Sequence, residues 1–252
     1  MGAPLISALG APRAAALVLA AAALLLGPRL LSPPSDVPSP PPRLRLSRPF
    51  LDEAALVLAA VHTSSRGVPA QSFLMASYSI ITIFDSLPGM GVVKADMLGN
   101  ADALWRLANP ADTLEEMCDR ELESFGGMDK HVAARRAAHT DGSACTSLLW
   151  LKRALQFVEA LLTAMLQSAS APLKECVSSA YASTLRSYHN FVVKGVFAAA
   201  VKATPARSPF LAKLGPKGAS ETSSMKMIAK LLPDLKRPLD TLDKYLVKRG
   251  IQ

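Results

Sequence analysis

At 252 residues, half of them apolar and 19% charged, the chain is long enough to bury a substantial core without the help of disulfides or a metal. The formal net charge is +8, but the five arginines up to Phe50 face only Asp36, which leaves about +4 for the rest. That balance suits contact with anionic bilayers or simple solubility. No dense basic run is interleaved with aromatics, so nucleic acid is not an expected partner. Cys118, Cys145 and Cys176 are odd in number and widely spaced, which argues against a disulfide framework or a zinc site and leaves them as buried thiols.

Residues 1–31 read as a leader. Its uncharged run AAALVLAAAALLL, residues 14–26, is short for a hydrocarbon core of about 30 Å. It fits a signal-peptide core or, with Leu30 and Leu31, a signal anchor; a plastid-type transit leader is also compatible. The expected location is the secretory pathway or a membrane tether, with peripheral association from the cytosol as the alternative. Ile6 stands where N-myristoylation needs Ser or Thr. Residues 32–49, SPPSDVPSPPPRLRLSRP, cannot sustain helix or central strand and read as an extended spacer. The folded domain is expected over 50–252.

Within it, apolar residues recur at helical spacing, predicting helices over 51–63, 70–86, 94–107, 111–124, 143–168, 171–202, 207–214 and 221–248. Pro233 and Pro238 are expected to bend or split the last of these. The 143–168 segment is apolar round much of its circumference, through Leu148, Leu149, Leu151, Leu155, Val158, Leu161, Leu162 and Met165. Such a helix must be covered on several sides, so it is the expected centre of an all-α, layered fold.

Four side chains stand out in this apolar frame. Asp96 and Asn100 are four residues apart, which on a helix sets them about 40° apart and one turn along the axis, able to grip one group. The carboxylate accepts hydrogen bonds and the amide both donates and accepts, so the pair can read neighbouring hydroxyls. Trp150 offers a flat indole and His189 an imidazole that can donate without being ionised. Each has a plainer reading: an acid favoured near a helix N-terminus, a solvated amide, a core tryptophan and a surface histidine. Glu115 and Glu116 read as charge favourable to a helix dipole. Gly89-Met-Gly-Val-Val-Lys94 lacks the last glycine and the preceding strand of a dinucleotide loop. His62, His131 and His139 have no ligand-spaced partners, and Ser143 lacks the setting of a nucleophile elbow, so no enzyme, metal or cofactor is expected.

The segments FDSLPGMGVVKADMLGN, LLWLKRAL, YHNFVVKGVF and SPFLAKLG, in this order, resemble the glycolipid transfer protein family from about residue 55 to the C-terminus. The resemblance implies a two-layer sandwich of about eight helices. It also implies non-enzymatic sphingolipid binding and intermembrane transfer, with the headgroup held by Asp96, Asn100, Trp150 and His189 and the chains in an apolar pocket. The family's histidine sits on a third helix and donates to the ceramide carbonyl. Phe191 occupies the family's membrane-contact tryptophan position; plain core is its other reading. The implied partners are a glycosphingolipid or ceramide-1-phosphate and membrane surfaces.

Two departures bear on the headgroup. The lysine that glycolipid-binding members carry seven residues after the aspartate is Ala103 here. The phosphate-binding branch has arginines at the tryptophan position and one turn before it, where this chain has Trp150 and Thr146. The expectation leans to a neutral sugar, with ceramide-1-phosphate transfer or a membrane-tethered lipid sensor as alternatives. A lipid hydrolase with His189 as base would need a nearby nucleophile that the sequence does not offer.

Overall fold

A computed structural model describes residues 48–125 and 142–251; the leader and most of the spacer lie outside the described residues. Nine α-helices occur among them: α1 (Phe50–Ala59), α2 (Ala70–Ile81), α3 (Gly91–Leu107), α4 (Leu114–Ser124), α5 (Ala144–Gln167), α6 (Leu173–Thr184), α7 (Phe191–Lys202), α8 (Arg207–Leu214) and α9 (Glu221–Arg249). A 3-10 turn, Thr82–Ser86, continues α2. The only β-type pairings among the described residues are two isolated bridges, Ser64 with Gly67 and Pro69 with Thr113.

The expected centre is the observed one. Of the 24 residues of α5, 16 are buried, because α3, α4, α6 and α9 all pack on it. Burial extends to charged groups: Lys152 is 6% exposed and forms an ion pair with Asp243 of α9. Ser143 caps the helix, accepting from the Thr146 amide at 3.0 Å. Cys118, Cys145 and Cys176 are free and buried.

Three details differ from the periodicity. The segment 171–202 is two helices, parted by the connection 185–190, so His189 lies between helices rather than on one. The cause is local: the Arg186 amide turns back to the Tyr181 carbonyl at 3.0 Å, and Asn190 starts α7 by accepting from the Val192 and Val193 amides. The last helix, by contrast, is not split at Pro233 or Pro238. Its buried stripe, Ile228, Leu231, Leu235, Leu239, Leu242 and Leu246, packs on α1, α5 and α8, which offsets the hydrogen bonds each proline removes. Finally, α3 begins three residues early, after a turn in which Gly89 takes φ +83° and a Cβ would stand 3.2 Å from the Ala200 backbone of α7.

Glu115 and Glu116 also separate. Glu116 completes a capping box with Thr113, whereas Glu115 is buried and accepts from the Val68 amide at 2.8 Å. Gly67 lies directly above it with φ +128°, and a Cβ there would meet Glu115 Oε2 at 2.3 Å. Gly67→Ala should therefore cost about 2–4 kcal/mol through backbone strain and the clash. Urea melts of the variant and the parent measure it; a loss within experimental error would mean that the α1–α2 connection relaxes freely.

Candidate functional site

Asp96 and Asn100 share one face of α3, a helix that packs on α5. Asn100 is 2% exposed. Its amide nitrogen donates to the Asp96 carbonyl at 3.0 Å and to Asp96 Oδ2 at 3.3 Å. Its Oδ1 is buried without a partner. A buried amide oxygen left unpaired is costly, and a ligand hydroxyl or N–H would satisfy it. Asp96 itself is half-buried.

The second pair joins α5 to the α6–α7 connection. The Trp150 and His189 rings lie 19° from parallel with centroids 6.3 Å apart. His189 Nδ1 is 3.1 Å from the Tyr181 hydroxyl. Burial pushes the phenol's pKa up, so it stays protonated, and its hydrogen bond with Nδ1 leaves Nε2 as the ring nitrogen available to a ligand. Tyr181 stacks on Phe197 of α7 at 3.8 Å, and Phe197 packs edge-on to Phe157 of α5 at 5.5 Å. The imidazole is thus fixed to the core by a column of rings although its backbone lies in a connection.

Burial pulls the His189 pKa below its ordinary value, and the charges of Lys194 and Arg153 add to this. A base with a depressed folded-state value contributes stability fully above the unfolded value, about 6.5, and loses it as the pH falls through the folded one. Melting temperatures of the parent should therefore drop more steeply between pH 7 and 5 than those of His189→Gln. Parallel pH profiles would show that the ring is not held neutral.

One residue of the site carried no role in the sequence reading. Arg153 follows Trp150 by three positions and Thr146 by seven, so the three share a face of α5. Arg153 is 6% exposed, with its guanidinium carbon 5.0 Å from the Trp150 ring centroid and 3.5 Å from that of Tyr188. Burial lowers its pKa and the neighbouring Tyr188 opposes the shift. The i, i+3 spacing was visible in the sequence; the burial of a cation was not.

Phe191, the first residue of α7, is 85% exposed, which removes the plain-core reading. The two departures face inward: Ala103 and Thr146 are 5% and 4% exposed. A cavity of about 250 Å³ near Leu107, Met117, Arg120 and Ser143 includes none of the four predicted site residues. Among the described residues no group of three or more His, Cys, Asp or Glu side chains could hold a metal, and no helix is long and apolar enough to cross a membrane.

This all-helical frame has known counterparts. Residues 68–216 match the glycolipid transfer protein family, and the chain belongs to that family. It is 34% identical over 198 residues to a glycolipid transfer protein of Aureobasidium melanogenum, covering 73% of this chain and 91% of that one. It is 29% identical over 197 residues to human pleckstrin homology domain-containing family A member 8, covering 74% of this chain but only 36% of the relative. The chain thus spans about a third of the length of such pleckstrin-homology relatives.

Among solved structures, it resembles FAPP2, described as selecting simple glycosphingolipids using the GLTP-fold, with a TM-score of 0.66 at 26% identity over 83% of this chain and 96% of that one. The apo form of mouse ceramide-1-phosphate transfer protein gives a TM-score of 0.68 at 20% identity, over 81% of this chain and 98% of that one, a likeness of fold alone. The two-layer, all-α architecture is the GLTP-fold.

Proposed function

We propose that this chain is a non-enzymatic carrier of a single sphingolipid, preferring a simple glycosphingolipid, which it moves between membranes. The observation that carries the reading is the parallel setting of Trp150 and His189, with Tyr181 engaging Nδ1 and leaving Nε2 for a ligand. In this reading the indole stacks on the sugar's C–H face and the imidazole donates to the ceramide carbonyl. Asp96 accepts from sugar hydroxyls or the amide N–H, and Asn100 Oδ1 gains the partner it lacks. Burial of acyl chain drives uptake at about 0.8 kcal/mol per methylene. The names of the Aureobasidium relative and of FAPP2 point to the same ligand class.

Phe191 is the membrane-contact residue in this scheme. It stands out at the start of α7, followed by the half-buried Val192 and Val193 and the exposed Lys194. An exposed ring beside a cation suits shallow insertion at an anionic interface. The runner-up ligand is ceramide-1-phosphate, but Trp150 and Thr146 offer no arginine pair to clamp a phosphate. A tethered lipid sensor is the reading from another class; it would bind the same lipid without net transfer.

Native mass spectrometry of the chain after incubation with vesicles containing glucosylceramide tests the binding step. One glucosylceramide per chain is expected. Saturation with glycerophospholipid alone would refute the sphingolipid assignment.

A further inference from the structure

Tyr188 presents a contradiction in its surroundings. Its ring is 51% exposed, on a connection between two helices, yet its inner face rests on a guanidinium 3.5 Å away that is itself 6% exposed. Among the described residues Arg153 meets the Tyr188 side chain rather than a carboxylate, and its Nε finds no hydrogen bond. Burying a cation with only a phenol beside it is costly, and an apolar side chain of similar length would fill the space without that cost. What arginine adds is a flat, charged plane that stacks on an aromatic face and fixes its orientation. The Tyr188 ring stands 82° from that of Trp150 with centroids 6.4 Å apart, so the two form a corner.

We propose that Tyr188 is a second wall of the headgroup site, set at right angles to Trp150, and that Arg153 is the positioning residue that holds it there. The inference rests on the glycosphingolipid reading and adds a specificity element to it. A single pyranose laid on the indole meets the phenol along its edge. The corner therefore rewards a first sugar ring and gives nothing to a ceramide that has none. Arg153 acts through Tyr188 and needs no contact with the lipid.

The test is the ratio of affinities for glucosylceramide and for sugar-free ceramide, read from extraction out of vesicles by the full chain. Tyr188→Ala should lower the ratio about tenfold while ceramide affinity and melting temperature stay at parent values; the side chain is half exposed and its loss leaves the fold intact. Tyr188→Phe should keep the ratio within twofold. Arg153→Met should reproduce the loss seen with Tyr188→Ala, because the ring then stands unsupported. An unchanged ratio in Tyr188→Ala, or an equal loss for both lipids, overturns the proposal. A parent chain that extracts neither lipid overturns the glycosphingolipid reading and the wall with it.

Discussion

Asp96→Val should reduce glycosphingolipid transfer about a hundredfold and leave the melting temperature unchanged or slightly raised. The size follows from the loss of charge-assisted hydrogen bonds to the headgroup, worth about 1.5–3 kcal/mol each, at about 1.4 kcal/mol per tenfold change. The stability follows from Asn100, whose amide donates to the Asp96 carbonyl at 3.0 Å, a backbone contact that the substitution does not remove. Groups gathered for a ligand are not optimised for folding, so removing one need not destabilise. Vesicle-to-vesicle transfer and calorimetry on the same preparation measure both quantities. Parallel losses of transfer and stability would make Asp96 a scaffold residue.

Trp150→Ala is the second large effect. It removes the ring parallel to His189 and perpendicular to Tyr188, which is the stacking plate of the proposed site. An aromatic contact of this kind contributes about 0.5–1.5 kcal/mol beyond its buried area, and the lost apolar area brings the expected fall in glucosylceramide affinity to about thirtyfold. Trp150→Phe should recover part of it, since a smaller ring still offers a face. Trp150 is itself only half-buried, so thermal stability should fall less than affinity. Equal affinity of parent and Trp150→Ala for glucosylceramide would place the sugar elsewhere.

Much of this was legible in the chain itself. The breadth of the apolar surface on 143–168 marked the central helix, since no narrow stripe could leave Leu148, Leu149, Leu161 and Leu162 all buried. Asp96 and Asn100 were readable because i, i+4 spacing fixes their relative placement once a helix forms. The break at 185–190 was not, because apolar residues continue at helical spacing on both sides and Asn190 is the main cap signal between them. The roles of Arg153 and Glu115 depend on what tertiary packing lays over them, the Tyr188 ring in one case and the Val68 amide in the other. Charged residues at such positions look like solvated helix faces until the neighbouring helices are in place. The uninterrupted α9 is the opposite case, in which burial of a leucine stripe overrides two local helix breakers.

The central claim is that this site recognises a neutral sugar on a sphingoid lipid and that the chain carries the lipid between bilayers. Initial rates of transfer from donor to acceptor vesicles, measured side by side for glucosylceramide and ceramide-1-phosphate of equal acyl length, test it most directly. The arrangement of Asp96, Asn100, Trp150 and His189 without an arginine at Thr146 predicts faster movement of glucosylceramide. Faster movement of ceramide-1-phosphate would contradict the neutral-sugar assignment, and binding of either lipid without net transfer would contradict the carrier role.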